Sequence, residues 1–351
     1  MGDVFTRMVQ IFRLDLMLQL GLATLLGGVI GLERELGGKP AGLRTNILIC
    51  IGSVLYTHLS LAMLTASTGV IPAGTDTTRV AAQIVTGVGF IGAGKLAGSV
   101  IRGLIRARFC PPGEIIASEP NDQTRTLLEK ETDICLTAEN AEVAEKSEVI
   151  FLGVKPAMAL PVLRELSAHL QNKVVISLAG GVRISGMEKI ANARFMRVLT
   201  NTPSAICRAA TGIARGSRST TEDVDLVAKI FGAIGVVVEV EEKQIDAVTG
   251  LSGSGPAFVY TVIEALAAGG TKMGLSADVA LKLAAQTVLG AAALMQESKM
   301  SPEELRKMVV TPGGTTAAGL AAMEKLGTSE SLIAAVEAAT RRGQEMAREN
   351  L

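Results

Sequence analysis

The sequence is poor in the residues that several large functional classes need. Among 351 residues there are two histidines, His58 and His169, no tryptophan, and 3% aromatic residues. Neither histidine stands in a motif with a carboxylate or a nucleophile, so Ser-His-Asp and histidine-metal chemistry are not expected. The 34 basic residues balance 34 acidic ones. With neither a basic excess nor aromatic stacking residues, the chain is not expected to bind nucleic acid.

Cysteine is equally scarce. The four cysteines, Cys50, Cys110, Cys135 and Cys207, are far apart in the chain and form no Cys-x-x-Cys pair. This spacing fits free thiols in a reducing compartment better than a disulfide framework or a zinc site. No metal site is predicted.

Apolar residues, in contrast, are abundant and make up 48% of the chain. The run from Leu14 to Leu32 approaches the roughly 20 residues that a helix needs to cross a bilayer. Gly27 and Gly31 give it a smooth face on which a second helix can pack closely. A second uncharged run over 46–66 follows a short charged loop. The two runs predict a membrane hairpin, with a buried, glycine-rich soluble helix as the alternative.

Three stretches in this region resemble successive signatures of the MgtC/SapB family of bacterial inner-membrane proteins. They are GVIGLERE at 28–35, KPAGLRT at 39–45 and RVAAQIV at 79–85. The resemblance covers about residues 14–94 and implies membrane association through residues 14–66. A membrane protein of this type, or a non-functional fusion, is therefore the alternative to an enzyme.

The stretch 85–97 allows two interpretations. It can end a third hydrophobic segment that begins near Val80. Alternatively, Val88 to Ile91 form a strand that leads into the Gly-x-Gly-x-x-Ala turn of Gly92, Gly94 and Ala97, which is typical of dinucleotide-binding folds. The same residues cannot do both, and the sequence that follows favours the strand.

Membrane topology gives a second argument for choosing between the two interpretations of the stretch 85–97. Arg34, Lys39 and Arg44 favour a cytoplasmic position for the loop between the two hydrophobic runs. With two crossings, the rest of the chain would emerge on the opposite side, whereas a third crossing would consume the first strand. We therefore predict that Val88–Ile91 is a strand and that residues 1 to about 80 are a poorly integrated helical appendage.

From Gly87 onward, apolar strand patterns alternate with amphipathic helices. Strands are predicted at 88–91, 114–118, 149–154, 174–178, 194–199 and 236–240, and helices at 96–105 and 221–231. This alternation predicts a doubly wound sheet of the Rossmann type, with a helix N-terminus available to a pyrophosphate.

After about Asp246 the strand patterns give way to alanine-rich helices. They are predicted at 256–269, 277–297, 302–308, 315–326 and 329–349. Several are apolar around much of their surface, so they need burial on more than one side, which a second copy of the chain would supply.

The predicted fold is therefore an α/β Rossmann-type dinucleotide-binding domain followed by an all-α dimerisation domain, with an N-terminal hydrophobic helical appendage. The expected boundaries are 1–86 for the appendage, 87–246 for the dinucleotide-binding domain and 247–351 for the helical dimerisation and substrate domain.

One acid bears on the choice of cofactor. Glu119 ends the second predicted strand, about 20 residues beyond the glycine turn, where an acid accepts hydrogen bonds from a ribose diol and favours NAD over NADP. In the alternative interpretation, Glu119 faces solvent while Ser118, Asn121 and Arg125 contact the cofactor. The residues leave both open, so the expected cofactor is NADPH or NADH.

A second glycine-rich loop, TPGGTT at 311–316, precedes a helix. Its glycines allow close backbone approach, and the unpaired N–H groups of the helix start suit a small carboxylate. A simple helix cap is the alternative. The stretch LSGSGPA at 251–257 can likewise belong to a site or form a tight interdomain turn.

Six motifs appear together in one order: GFIGAGKLA at 89–97, GVKP at 153–156, NTP at 201–203, DAVTGLSGSGPA at 246–257, GGTKMG at 269–274 and TPGGTT at 311–316. In order and spacing they resemble the pyrroline-5-carboxylate reductase family, from Gly87 to the C-terminus. The resemblance implies hydride transfer from NAD(P)H to 1-pyrroline-5-carboxylate, giving L-proline, by a homodimer or larger homo-oligomer. It also implies a cytoplasmic reductase portion, with membrane tethering through the N-terminal segment as an added expectation.

The resemblance also implies roles for individual residues. Thr316 matches the hydroxyl that donates to the imine nitrogen, and Glu242 and Thr249 match positions near the substrate and nicotinamide. The carboxylate cradle corresponds to Thr311 and the backbone amides of Gly313, Gly314 and Thr315. Cofactor contacts correspond to Ile91, Gly92, Ala93, Gly94, Lys95, Leu96, Asn140, Gly153, Val154, Lys155, Pro156, Ala179 and Gly180. Ser118 and Glu119 join this expected set through their position at the end of the second predicted strand.

A 3-hydroxyacid dehydrogenase of similar architecture is the enzymatic rival. That class needs a catalytic lysine on a helix after a glycine-rich turn. Lys272 follows Gly269 and Gly270, but the rest of that pattern is missing from the sequence.

Overall fold

The computed structural model describes residues 14–36, 43–44, 46–48, 50–52, 54–55 and 87–349. The chain divides into two compact units, Met1–Val85 and Thr86–Leu351. Several expectations concern residues outside the described ones: most of the loop between the two hydrophobic runs, most of the second run, and the stretch 79–86.

The described part of the first unit is built on helix α1, Leu14–Leu36. Its two spaced glycines lie directly against the segment that follows. A Cβ atom on Gly27 would stand 2.8 Å from the Asn46 carbonyl oxygen, and one on Gly31 would stand 2.6 Å from Leu43 Cα. The close packing expected from this glycine spacing is therefore present.

The second unit contains one eight-stranded sheet with the order β3-β2-β1-β4-β5-β6-β7-β8. Neighbouring strands are parallel except for β6 and β7, which are antiparallel. The strands are β1 Val88–Ile91, β2 Ile115–Ser118, β3 Cys135–Thr137, β4 Val149–Leu152, β5 Val174–Ser177, β6 Arg194–Leu199, β7 Ala209–Arg215 and β8 Gly235–Glu239.

Helices connect these strands. They are α2 Lys95–Arg106, α3 Asp122–Thr132, α4 Asn140–Lys146, α5 Pro156–Leu166, α6 Ile184–Glu188 and α7 Thr221–Gly232. Because the strand order reverses between β1 and β4, a crevice opens at the carboxyl ends of these two strands, where α/β sheets bind nucleotides.

Strand β1 settles the interpretation of the stretch 85–97. Val88–Ile91 is fully buried, and Phe90 stacks on Phe151 of β4 with ring centroids 4.3 Å apart. Gly94 then caps the N-terminus of α2. The expected strand is confirmed, and a third hydrophobic helix running on through residue 94 is wrong for residues 88–94.

The sequence pattern did not indicate two of the strands. β3 has three residues, which is too short to show a period. β7 has the sequence AATGIAR, whose small residues give little strand signal. Gly212 in β7 lies under helix α8, where an added Cβ would be 2.9 Å from a Val248 methyl group. Small residues are therefore needed for packing at the positions where strand propensity would favour larger ones.

The C-terminal region is entirely helical. After a short helix α8, Ile245–Val248, and a π-type turn, Thr249–Gly253, five longer helices follow. They are α9 Gly255–Lys272, α10 Ala277–Ser298, α11 Pro302–Val309, α12 Thr315–Lys325 and α13 Thr328–Glu349. The expected helices are all present, with ends shifted by a few residues.

Helices α9 and α10 pack on each other but leave much apolar surface uncovered. Leu266 is 50% exposed, Leu283 54% and Leu289 60%. Within the described residues, α10 has the length and apolar character of a membrane span, while the apolar part of α1, Leu16–Leu32, is shorter. Length and apolar composition alone do not distinguish a membrane helix from a packed helix of a soluble protein.

Candidate active site

The glycine turn, residues 91–96, joins β1 to α2 at the crevice. Gly92 has a φ of +84°, a backbone conformation that glycine adopts without strain. The N–H groups of Gly92 and Ala93 both donate to the Ser118 carbonyl oxygen at 3.1 Å, which ties the turn to the end of β2. A Cβ on Gly94 would have no atom within 4 Å. The N-terminus of α2 is therefore open, as binding of a pyrophosphate requires.

The residues assigned to the cofactor lie at one edge of the sheet. They lie at or just after the ends of β1, β2, β3, β4 and β5, whose carboxyl ends point the same way because these strands are parallel. Ser118 at the end of β2 donates to Asn140 Oδ1, at the start of α4, over 2.7 Å. These residues are 91–96, 118–119, 140, 153–156 and 179–180.

Gly153 makes the tightest contact at this edge. Its N–H donates to the Ile91 carbonyl oxygen at 2.8 Å. A Cβ on Gly153 would stand 2.5 Å from the Gly92 carbonyl oxygen and 2.8 Å from Ala97 Cβ. The loop after β4 therefore sets the position of the glycine turn.

Replacing Gly153 with alanine is expected to weaken NADH binding about tenfold or more, because overpacking a rigid contact costs about 1–3 kcal/mol and here displaces the glycine turn. The measurement is a fluorescence titration of the full chain with NADH. Gly186→Ala is the matched control, since a Cβ there would meet no atom within 4 Å. Equal affinities for the wild type and Gly153→Ala would contradict the assignment.

Glu119 is buried, with 9% of its surface exposed. Its N–H donates to the Thr137 carbonyl oxygen of β3 at 3.0 Å, and its Oε1 accepts from the Asn121 N–H at 3.0 Å. The interpretation in which Glu119 faces solvent is therefore wrong. Arg125 lies beside it and donates to the Glu119 carbonyl oxygen at 2.7 Å.

Glu242 and Thr249 flank the short helix α8. Glu242 is half-buried, and its Oε1 accepts from the Ile184 N–H at the start of α6, at 2.7 Å. The Thr249 hydroxyl donates to the Ile245 carbonyl oxygen at 2.9 Å. This hydroxyl thus keeps an oxygen lone pair free for a further partner.

A buried charge cluster, formed by Arg183, Arg197 and Asp246, holds α8 against the sheet. Asp246 accepts from Arg197 Nη2 at 2.9 Å and from Arg183 Nη2 at 2.8 Å. Arg197 Nη1 lies 3.6 Å from Glu242 Oε1. Burial lowers the pKa of the Arg197 guanidinium, and its hydrogen bond to Asp246 acts in the opposite direction. The cluster therefore links the proposed substrate position Glu242 to the sheet.

No motif in the sequence predicts this cluster, although one residue of it gives a signal. Arg197 stands inside the apolar strand β6, RFMRVL, where it is 1% exposed. A charged residue in the middle of a buried strand requires an acidic partner. That partner, Asp246, opens one of the six motifs, but no spacing rule connects two residues so far apart.

Asn201 joins two other motifs. Its Nδ2 donates to the Ser252 carbonyl oxygen at 3.0 Å, and its Oδ1 accepts from the Ala210 N–H at 3.1 Å. The NTP and LSGSGPA stretches thus meet at the junction of the sheet with the helical region.

The 311–316 loop lies within the helical region. Gly313 has a φ of +71°, and Gly314 caps α12, with its N–H donating to the Thr311 carbonyl oxygen at 3.0 Å. Thr316 is half-buried at the start of α12. Within residues 87–349, helix α12 packs mainly against α13.

Three family models match the chain. "Pyrroline-5-carboxylate reductase dimerisation" matches residues 242–346, "NADP oxidoreductase coenzyme F420-dependent" matches residues 87–181, and "MgtC family" matches residues 20–105. The first two cover the glycine turn and the helical region.

Individual relatives extend this similarity over the whole second unit. The chain is 41% identical to a pyrroline-5-carboxylate reductase of Glycine max over 261 residues, which is 74% of this chain and 95% of that protein. It is 42% identical to pyrroline-5-carboxylate reductase 2 of Homo sapiens, over 74% of this chain and 83% of that one.

Solved structures give the same result. A pyrroline carboxylate reductase of Plasmodium falciparum with NADP bound matches with a TM-score of 0.69 at 30% identity, over 75% of this chain and 98% of that one. A reductase of Coxiella burnetii matches with a TM-score of 0.69 at 33% identity, over 75% and 99%. From the glycine turn to its helical region, the chain belongs to the pyrroline-5-carboxylate reductase family.

Proposed function

We propose that this chain reduces 1-pyrroline-5-carboxylate to L-proline with NADPH or NADH, as a step of proline biosynthesis. The observation that carries the proposal is the open N-terminus of α2 at the β1/β4 crevice, in a chain 41% identical to a named reductase over 95% of that protein. The bound nicotinamide supplies the hydride.

The protein binds the substrate and donates a hydrogen bond to its imine nitrogen. We assign the substrate carboxylate to Thr311 and to the amides of Gly313, Gly314 and Thr315, since a helix N-terminus favours an anion. We assign Thr316 as the hydroxyl that donates to the imine nitrogen, which makes the C=N carbon a better hydride acceptor. Glu242 and Thr249 line the substrate and nicotinamide region.

The cofactor is assigned to the residues of the sheet edge. The Gly92, Ala93 and Gly94 amides and the α2 N-terminus receive the pyrophosphate, while Ser118, Glu119 and Asn140 surround the adenosine ribose. The remaining assigned contacts are Ile91, Lys95, Leu96, Gly153, Val154, Lys155, Pro156, Ala179 and Gly180. We assign residues 87–246 to cofactor binding and 247–351 to dimerisation and substrate binding.

A second copy of the chain completes this arrangement as a homodimer or larger homo-oligomer. The 311–316 loop packs within the helical region, whose apolar residues are largely uncovered in one chain. Association of two helical regions would bury these residues and allow a loop of one copy to face a crevice of the other.

The test is NAD(P)H oxidation by the full chain with 1-pyrroline-5-carboxylate, followed by absorbance of the reduced cofactor. Turnover with at least one of the two cofactors is expected. The chain starting at Gly87 serves as a comparison, since residues 86–351 form a compact unit. Absence of turnover by both chains with either cofactor would contradict the proposal.

The MgtC/SapB alternative is disfavoured by the residues on which the two family matches overlap. The MgtC match extends to residue 105. Residues 88–91 nevertheless form the fully buried strand β1, and Lys95–Arg106 form helix α2 beside it. These residues serve the dinucleotide fold and are not available to a membrane helix.

We further propose that the reductase portion is cytoplasmic and is tethered to the membrane through residues 14–66, as a poorly integrated appendage that does not make the two crossings that would place the reductase on the opposite side. Apolar side chains of α1 are exposed within the first unit: Leu18 by 74%, Leu25 by 65% and Val29 by 62%. Such a surface favours lipid contact.

The full chain is expected to remain in the membrane fraction after a high-salt wash, because salt weakens ionic attachment but not apolar insertion. The chain starting at Gly87 should instead remain in the supernatant. Release of the full chain by the wash would contradict the tether, whatever the reductase activity.

A further inference from the structure

We propose that this enzyme selects NADH over NADPH and that the Glu119 carboxylate determines the preference. Asn121 and Asp122 act as positioning residues, one for Glu119 and the other for Arg125. The proposal rests on the proposed function, since it concerns the cofactor of the same site.

The Glu119 carboxylate is fixed at the place where a ribose is recognised. Glu119 follows β2 directly, and its backbone is bonded to Thr137 of β3. Its Oε1 accepts the Asn121 N–H at 3.0 Å, so the side chain is folded back along its own loop and buried. In dinucleotide folds an acid at this position accepts hydrogen bonds from the two ribose hydroxyls of NADH.

The same carboxylate opposes a 2'-phosphate. NADPH carries this doubly ionisable group where NADH has a hydroxyl. A phosphate beside a buried carboxylate is disfavoured both by like charge and by loss of solvation. The hydrogen bond to the Asn121 N–H and the burial of Glu119 oppose rotation of its side chain into water.

The arginines that could offset this repulsion are already paired. Arg125 donates to the Glu119 carbonyl oxygen at 2.7 Å and forms an ion pair with the Asp122 carboxylate. Arg102 lies 2.6 Å from the Glu131 carboxylate.

Arg102 also lines a cleft of about 320 Å³ beside the glycine turn, together with Lys95. Among the described contacts, Arg102 forms an ion pair with Glu131, whereas none joins Lys95 to a carboxylate. One lysine, in a cleft that Glu131 also lines, does not make a site for a doubly charged phosphate.

The test compares equilibrium binding of NADH and NADPH to the full chain by nicotinamide fluorescence, together with kcat/KM for both cofactors. The wild type is expected to favour NADH about tenfold or more, since like-charge juxtaposition strongly opposes binding. Glu119→Gln keeps an oxygen for the Asn121 N–H but removes the charge. This variant is expected to lower the preference for NADH over NADPH, chiefly by strengthening NADPH binding.

Asp122→Asn is the second variant. It should also strengthen NADPH binding, because it releases Arg125 from its ion pair. Glu129→Gln, an exposed change on the same helix α3, is the control and should leave the ratio unchanged.

Equal binding of the two cofactors, tighter binding of NADPH, or an unchanged ratio in Glu119→Gln would overturn the proposal. A general folding defect would weaken both cofactors together, whereas the proposal requires NADPH binding to improve. The proposed function is tested separately: turnover with no cofactor preference overturns the inference alone, and NADH-selective binding without turnover overturns the function alone.

Discussion

Replacing Asp246 with alanine is expected to lower the free energy of unfolding by about 3–5 kcal/mol, because it leaves a buried guanidinium without its hydrogen-bonded counter-charge and with Glu242, 3.6 Å away, as a partner. Asp246 and Arg197 are each 1% exposed, and Arg183 donates to the same carboxylate. The measurement is urea unfolding of the full chain, followed by far-ultraviolet circular dichroism at fixed protein concentration.

Two further variants distinguish the effect of an unpaired buried charge from the effect of lost packing. Asp225→Ala, on the exposed face of α7, should change the free energy of unfolding by less than about 0.5 kcal/mol. The double variant Arg197→Met with Asp246→Leu should be less destabilised than Asp246→Ala, since neither buried partner remains charged. If the single variant loses less than about 1 kcal/mol, the charge cluster does not hold α8 against the sheet.

Replacing Thr316 with alanine is expected to lower kcat/KM for 1-pyrroline-5-carboxylate by about 100-fold to 10,000-fold, the range for loss of a proton-donating group. The reason is local: the imine nitrogen loses its hydrogen-bond donor, while the amides of the 311–316 loop still hold the carboxylate. NADH affinity should therefore be unchanged, and the loss should appear mainly in kcat. Steady-state kinetics with both substrates varied gives these values.

Thr316→Ser provides the matched rescue, since it retains the hydroxyl and removes only a methyl group. It should keep activity within about tenfold of the wild type, because one methyl group contributes roughly 1 kcal/mol of contact. Thr126→Ala, an exposed threonine on α3, controls for loss of a threonine elsewhere. Wild-type turnover by Thr316→Ala would dismiss this residue as the donor.

The parts of the fold that could be predicted from sequence are those with a local signal. The apolar stretch Val88–Ile91 is followed by a glycine turn and then by an amphipathic helix. The positions of the strand, the turn and the helix can therefore be predicted from local sequence. The helices of the C-terminal region were predicted for the same reason, since start signals such as Ser301 and Pro302 are local. At Ser301, for example, the side chain accepts from the Glu304 N–H and completes a capping box.

The parts that could not be predicted depend on distant contacts. Strand β7 is antiparallel to β6 and carries Gly212 because α8 lies on it, which no pattern within the strand reveals. Arg197 and Asp246 are 49 residues apart. A similar limit applies to Glu119, whose burial follows from the fold of its loop and not from its position in the sequence.

The candidate site, too, has some features that a local sequence signal predicts and others that depend on distant contacts. Ser118 and Asn140, which were both expected to contact the cofactor, lie 2.7 Å apart at one edge of the sheet. The 311–316 loop was also found by its motif. How it meets the glycine turn could not be predicted, because no sequence motif connects two loops so far apart in the chain.

Hydride transfer itself provides the most direct test of the central claim. The full chain is supplied with 1-pyrroline-5-carboxylate and with NADH that carries deuterium at the transferring position, and the proline formed is analysed by mass spectrometry. If the chain transfers hydride to 1-pyrroline-5-carboxylate, the product is L-proline with a single deuterium at C5, the former C=N carbon. Unlabelled proline, or oxidation of NADH without any proline, would contradict the central claim.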